Sequence, residues 1–528
     1  MPRNRDASPL RRGYARGSVS LRRSSALFGV AVAAAALLTR NDAEAAEWRL
    51  EPALRVEATW TDNANFGSRT SRRDDVITEV APSLSLRATG RRLRISGAVE
   101  AAYVSYAEGT SDDTLLPRGS VLANLEVIER LFFLEAAASA SQTRVDPFGP
   151  QPDGGSSLNT GTTTQYRISP YIEGGTGTLS YALRSDNSWA EQRGAGSAID
   201  RDGAYLGVHS ARLERSATPL GWRLRLARNE TRFESAIPDR VTQDTARLTA
   251  DYLLGAQVRI GLVGGYETND FSTTDDSGAI WGVAVRWRPG ERTDFDATWE
   301  QRFFGTGYSA GFNHRNPRVA WAISASRDAS TFPQTLFGLA PTDNVAALLD
   351  AIYTTRYPDP AERNRVVQQL IAQQGLPPSL TTSTTLFTQN VSLVSSGTAT
   401  VTLIGVRNSL AFSLFTQRTE ELRDTIFAIT GAADRNNVQR GGSATLSHRV
   451  TTLTALNATA SVRRTQGIGA SETERSEQVL YRLTMTRQLG PRTTVVVGAR
   501  RQHFDSTLLG VKTDARETAG FAGASHRF

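Results

Sequence analysis

Side chains capable of nucleophilic or metal chemistry are few and scattered in this chain. It has no cysteine, which excludes thiol catalysis, disulfide scaffolds and iron–sulfur clusters. No two of its five histidines have an HExxH or comparable metal-ligand spacing. His209 is followed by Ser210, but neighbours on a strand face opposite sides and cannot share a hydrolase site. We therefore expect no catalytic residue, no cofactor and no metal.

The placement of the arginines indicates an electrostatic function. The formal net charge is +7, and Lys512 is the only lysine. The arginines do not cluster as in a nucleic-acid binder, so nucleic acid is not an expected partner. They alternate with apolar residues, and a wall bearing them would concentrate anions and disfavour cations. The predicted wall residues are Arg94, Glu100, Arg223, Arg225, Arg286, Arg288, Asp296, Glu300 and Arg482.

A periodicity of two residues determines where these side chains lie on each strand. In the segment 281–288, Trp281, Val283, Val285 and Trp287 alternate with small or basic residues. Successive strand side chains point to opposite faces, so one face is apolar and the other polar. A helix would need apolar residues at i, i+3, i+4 and i+7, and this spacing is missing.

The connections between these strands alternate in length. A short turn with Gly or Pro follows one strand and a longer polar link follows the next. Bacterial outer-membrane barrels show the same alternation. The predicted longer links are 149–161, 191–201, 272–278, 424–437 and 507–514. Counting segments predicts an all-β, transmembrane antiparallel β-barrel of roughly 22 strands, within a range of about 16 to 24. A soluble β-sandwich is the competing fold, but its strands would be shorter.

The N-terminal segment 1–45 is predicted to be a signal peptide. Arginines crowd residues 1–23, the apolar segment 26–38 follows, and Ala43-Glu44-Ala45 fits a cleavage site. The mean hydropathy of −0.33 and the lack of a further long apolar run exclude a polytopic helical protein. We expect an exported chain whose residues 46–528 form a barrel in the outer membrane of a Gram-negative bacterium. The terminal Phe528 is the candidate signal for the barrel assembly machinery.

Segment 332–397 interrupts the strand pattern. Residues 343–353 and 360–374 are predicted helices; Pro360 suits a first helical turn, and Val366, Val367, Leu370 and Ile371 form an apolar stripe. By strand parity the insertion leaves from the extracellular end. It is predicted to cap the mouth, fold into the lumen or bind a partner.

Two stretches resemble one family. Residues 50–65 (LEPALRVEATWTDNAN) are similar to the opening of the PEP-CTERM system-associated outer-membrane proteins, and 359–365 with 375–378 resemble a helical insertion of the same group. Members are predicted barrels found beside exopolysaccharide-synthesis and exosortase genes. The resemblance implies a role in polymer export or envelope assembly, and it supplies no catalytic residues.

Three functions remain open from the sequence. The leading one is a porin-like pore or export conduit for an anionic exopolysaccharide, working with outer-membrane lipid and periplasmic export components. The second is a non-conducting surface scaffold or docking protein that uses the insertion. The third is an outer-membrane hydrolase. A TonB-dependent transporter is disfavoured, because no plug-sized region precedes the first predicted strand.

Overall fold

The computed structural model of this chain describes residues 46–528 with internal gaps. The gaps are 145, 152–158, 195–200, 235–238, 271–274, 332–333, 336–344, 355, 358–362, 364–365, 368–369, 372–390, 423–435 and 509. The predicted signal peptide, residues 1–45, therefore lies outside the described residues.

The described chain folds into long strands that follow one another in sequence. Their lengths run from 10 to 17 residues, whereas about 9–11 tilted residues cross a bilayer core. The strands are β1 (Glu47–Thr61), β2 (Asp75–Thr89), β3 (Leu93–Tyr106), β4 (Thr114–Ile128), β5 (Phe132–Arg144), β6 (Thr160–Thr176), β7 (Leu179–Gly194), β8 (Arg201–Arg215), β9 (Leu220–Phe233), β10 (Asp239–Leu254), β11 (Val258–Asp270), β12 (Asp275–Gly290), β13 (Thr293–Arg302), β14 (Gly305–Arg315), β15 (Val319–Ser330), β16 (Ser392–Ile404), β17 (Asn408–Glu421), β18 (Asn437–Arg449), β19 (Thr454–Gly467), β20 (Arg475–Gln488), β21 (Thr493–Leu508) and β22 (Val511–Arg527).

The sheet closes on itself. Each strand pairs antiparallel with the next, and β22 returns to pair with β1 from Ala53↔Arg527 to Thr61↔Ala519. Closure leaves no strand edge unpaired, which the hydrocarbon core of a membrane requires. The predicted all-β, antiparallel barrel is confirmed, and its 22 strands match the predicted count.

The two faces of the sheet differ in exposure. On β17, Leu410, Phe412 and Leu414 are exposed, whereas Ser409 and Ser413 on alternate positions are buried. Large exposed apolar side chains occupy the outward face of the other strands in the same way. Such a surface suits lipid and would be a liability in water, so the chain is an outer-membrane barrel with a polar, inward-facing wall.

The connections at the two ends of the barrel differ in length. At the end where Glu47 and Arg527 lie, links such as 177–178 are short, whereas 62–74 and 331–391 lie at the other end. In outer-membrane barrels the short turns face the periplasm. Odd-numbered strands therefore run towards the extracellular end and even-numbered strands return.

Two predicted boundaries need correction. Strand β16 begins at Ser392, so residues 392–397 belong to the barrel and the insertion is shorter than 332–397. The small and polar residues of this segment hid its alternation. The predicted link 507–514 is instead a tight hairpin, because Thr507 pairs with Lys512 and Leu508 with Val511.

Among the described residues of the insertion, helix α1 spans Val345–Tyr353. This agrees with the predicted helix 343–353, and the described residues of the predicted helix 360–374, such as Arg363 and Val367, are helical. In the part of the chain that the structure describes, no helix has the length and apolar character needed to cross a membrane.

Candidate functional site

The strand register places the predicted wall residues on the inward face. Arg223 and Arg225 alternate with the outward Trp222, Leu224 and Leu226 on β9. Directly paired residues lie on the same face of the sheet. The register therefore shows which residues of each neighbouring strand also face inward. Arg94, Glu100, Arg286, Arg288, Asp296, Glu300 and Arg482 lie on the same, inward side.

Neighbouring strands β8–β12 bring six inward arginines together towards the periplasmic end. Arg212 of β8 lies directly opposite Arg225 of β9, which lies opposite Arg247 of β10. On the next two strands Arg259 lies opposite Arg286. We call this set the lumenal arginine cluster: Arg212, Arg223, Arg225, Arg247, Arg259 and Arg286.

Carboxylates neutralise only part of the lumenal arginine cluster. Arg223 lies 3.4 Å from both Glu214 and Asp251, and Arg259 lies 3.8 Å from Glu214. Arg247 lies 3.3 Å from Glu300. Glu214 is shared by Arg223 and Arg259, whereas Asp251 and Glu300 each meet one arginine of the cluster.

The remaining three cations of the cluster have no such partner. Among the described residues, Arg212, Arg225 and Arg286 make no ion pair or hydrogen bond, although Arg286 lies opposite Asp296 in the register. Like charges at directly opposed positions of a sheet repel one another. A row of this kind therefore favours an anion in the lumen that neutralises it.

The other predicted wall residues serve separate contacts. The Glu100 carboxylate forms ion pairs with the guanidinium groups of Arg55, at 2.9 Å, and Arg118, at 3.5 Å. Arg288 is paired with Asp294 at the periplasmic rim. The guanidinium of Arg482 lies 4.6 Å from the Phe521 ring centre. Arg94 is exposed near the periplasmic turn before β3.

The insertion leaves the barrel wall at the extracellular end. Its first residue, Thr331, lies across from β9, with its hydroxyl 3.1 Å from that of Thr231. Its last residue, Val391, packs against Ala204 and Phe233 of β8 and β9. Both ends therefore lie over the lumen rather than outside the wall.

The helix of the insertion lies inside the barrel at the opposite end. Leu349 is fully buried and packs with Ala411, an inward-facing residue near the periplasmic start of β17, and with Val367 and Ile404. The Arg315 guanidinium, on the last residue of β14, donates to the Ala351 carbonyl oxygen over 3.2 Å. The described residues of the insertion thus lie at both ends of the lumen, and α1 docks near the periplasmic mouth.

A second segment turns inward at the extracellular end. Gln151, in the connection between β5 and β6, accepts hydrogen bonds from Arg144 at 2.7 Å and Arg463 at 3.2 Å on its side-chain oxygen. Gln478 of β20 donates to its backbone oxygen over 2.5 Å. Since β5 and β20 are far apart around the barrel, this connection bridges part of the lumen.

One polar constellation on the outward face was missed by the sequence reasoning. The Ser185 hydroxyl of β7 lies 2.9 Å from His209 Nδ1 of β8, and the Asn187 amide donates to Ser185 Oγ over 3.0 Å. The Tyr205 hydroxyl donates to Asn187 Oδ1 over 2.8 Å. Only the pairing register, which the sequence does not reveal, brings Ser185 and His209 together.

An ion cluster on the outer face was also not predicted. Ligand atoms of His503, Asp505 and Asp514 lie within 4.8 Å of one another on β21 and β22. His503 Nε2 lies 2.5 Å from Asp505, while Arg69 and Arg516 approach Asp514. These ion pairs account for the grouping.

Comparison with known proteins yields structural similarity only. No protein-family model and no curated protein matches the chain. The siderophore receptor PirA from Pseudomonas aeruginosa is 10% identical with a TM-score of 0.41 over 91% of this chain and 80% of that one. The siderophore receptor PiuA from Acinetobacter baumannii is 6% identical with a TM-score of 0.48 over 90% and 82%. These values carry no information on ligand or partner, and the fold assignment rests on the closed strand pairing.

Proposed function

We propose that this outer-membrane barrel is a conduit for an anionic polymer, with an acidic exopolysaccharide as the substrate class. The observation that carries the proposal is the row Arg212, Arg225 and Arg247, in which the first two make no ion pair or hydrogen bond with a carboxylate among the described residues. A row of cations that is only partly neutralised concentrates anions in the lumen beside it. An acidic polymer offers carboxylates at repeated intervals and so suits such a row.

The insertion supports a controlled rather than a permanently open conduit. Helix α1 docks on β14–β17, next to the sector of the wall that carries the lumenal arginine cluster and at the same end of the barrel. A barrel of 22 strands is too wide for its own wall to fill. The insertion therefore sets the width of the path beside the arginines.

The resemblance of residues 50–65 and 359–378 to PEP-CTERM system-associated proteins supports a polymer rather than a small solute. On this proposal the partners are periplasmic export components and the barrel assembly machinery. Deleting the gene from its host should remove polymer from the cell surface and trap it in the periplasm. An unchanged polymer distribution would overturn the assignment to export.

Planar-bilayer recording tests the conduit directly. The native barrel should pass anions better than cations, and the double variant R212Q/R225Q should lose most of that preference. Added polyuronate should block the current more strongly than neutral dextran of equal size. The matched control is R228Q/R232Q, which removes two outward arginines of β9 and should leave the selectivity unchanged. A barrel that never conducts would contradict the proposal.

A non-conducting scaffold is the second candidate, favoured by the insertion and the Gln151 connection that both occupy the lumen. Ser330 and Ser392 are register partners, so 332–390 can be replaced by a two-residue Asn-Gly turn without breaking the hairpin. In a controlled conduit this deletion should raise a conductance that the native chain already shows. Loss of polymer attachment with no conductance in the native chain would favour the scaffold.

A further inference from the structure

The outward face of β17–β22 carries a group of cations just above its apolar band. Two residues nearer the extracellular end than the outward Val462 of β19 lies Arg464, and two residues nearer that end than the outward Val479 of β20 lies Glu477. We call this group the basic belt: Arg418, Arg440, Arg464, Arg475, Arg501, Lys512 and Arg516.

The register opposes two of these arginines directly. Arg440 of β18 lies opposite Arg464 of β19, both exposed on the outward face. Arg464 is held by Glu477 through bonds of 2.9 and 3.2 Å, so this carboxylate is already in use. Two like charges at directly opposed positions are unfavourable unless an anion lies between them.

Four members of the basic belt have no acid partner in the described part of the chain: Arg440, Arg475, Arg501 and Lys512. The nearby acids Glu477, Asp505 and Asp514 already have partners: Glu477 meets Arg464, Asp505 meets His503, and Asp514 meets Arg69 and Arg516. The outward arginines of β9 and β10 differ in this respect, because Arg228 meets Asp244, and both Arg232 and Arg240 meet Glu230. The basic belt thus carries unpaired cations that the outward face of β9 and β10 lacks.

A groove leads from the apolar band to the basic belt. It has a volume of about 550 Å³ and is lined on the outward face by Ala458, Ala460 and Ala499, with Leu446 and Leu483 also lining it. Alanine side chains between larger leucines leave a shallow channel that fits an extended hydrocarbon chain. At its upper end lie Arg501 and Tyr481, which are register partners.

We propose that this surface binds a phosphorylated glycolipid of the outer leaflet, a lipopolysaccharide. Its phosphates lie on Arg440, Arg475 and Arg501, and one acyl chain lies in the alanine-floored groove. Guanidinium groups bind phosphate oxygens through paired, charge-assisted hydrogen bonds, which suits this chemistry. The site is on the outside of the barrel and independent of what passes through the lumen.

Native mass spectrometry of the detergent-purified full chain tests the proposal, with lipid A as the added probe. The native barrel should retain lipid A, and the triple variant R440Q/R475Q/R501Q should bind it at least about tenfold more weakly, as expected when hydrogen bonds between charged groups are lost. The variant R440K/R475K/R501K should recover part of the affinity. Heat-modifiable mobility on a gel verifies that every variant remains folded.

Two comparisons make the result decisive. The matched variant R228Q/R232Q/R240Q removes the same charge from the paired arginines of β9 and β10 and should bind lipid A as the native chain does. Dephosphorylated lipid A should bind weakly to the native chain, and excess inorganic phosphate should displace lipid A only in part, because it cannot fill the groove. Equal weakening by both triple variants, or equal binding of the dephosphorylated lipid, would overturn the proposal.

Discussion

Arg315, at the periplasmic end of β14, donates a hydrogen bond to Ala351 of α1, a helix whose insertion leaves the barrel at the extracellular end. A helix that merely capped the outer mouth could not reach this arginine. The contact therefore fixes the insertion inside the lumen and makes the wall of β14–β17 its docking surface.

Cysteine pairing tests that placement, because the chain has no cysteine of its own. Leu349 and Ala411 pack in one buried cluster, so the variant L349C/A411C should form an intramolecular disulfide under mild oxidation. Peptide mass spectrometry of the unreduced protein reads out the link. The matched pair L349C/F412C should stay reduced, since Phe412 is the next residue but faces lipid. Crosslinking of the control pair alone would place the helix outside.

The stability of the wall should depend on a few fully buried ion pairs. The Arg302 and Glu267 side chains are 4% and 0% exposed, with the closest pair of atoms 2.6 Å apart. The substitution R302M leaves a buried carboxylate without its main partner, which should cost about 3–5 kcal/mol. Urea unfolding of the barrel in lipid vesicles measures the loss. The exposed pair Arg193–Glu191 supplies the control: R193M should change stability by less than about 1 kcal/mol.

The barrel could be predicted because its membrane band imposes a strict alternation. On β12, Trp281, Val283 and Val285 must face lipid while Arg286 must not, so sequence alone reveals the face of each residue. Above the band the constraint disappears, since neither face meets hydrocarbon. This is why residues 507–514, the tip of the hairpin between β21 and β22, were predicted to be a loop.

The contents of the lumen could not be predicted, for a different reason. Which strands are neighbours follows from their order, but which residues are opposite depends on the register of each hairpin. The row Arg212, Arg225 and Arg247 exists only in the observed register; one residue of slip would turn one of them outward. Likewise, the apolar stripe of the insertion predicts that Val367 is buried but not that the burial is inside the barrel.

The terminal residue Phe528 was predicted to be an assembly signal, and its exposed ring is available for recognition. The side chain faces outward and is 65% exposed, while its backbone nitrogen donates to the Pro52 oxygen over 3.0 Å and so extends the seam between β22 and β1. The substitution F528S keeps this backbone bond and should reduce the fraction of folded barrel in outer membranes severalfold. Heat-modifiable gel mobility gives that fraction. The variant F528Y should assemble normally, and an equal yield for F528S would remove the assignment.

The pair Ser185 and His209 permits a test of whether the barrel is also a hydrolase. An active serine needs an imidazole that is oriented by an acceptor on its second nitrogen. Here Asn187 donates to Ser185 instead, and among the described residues no acceptor binds His209 Nε2. We therefore expect the purified chain to resist a fluorophosphonate probe, with S185A and native protein equally unlabelled by mass spectrometry. Labelling that maps to Ser185 and disappears in H209A would make the outward face catalytic, because only an activated hydroxyl reacts, and would add an activity to the conduit.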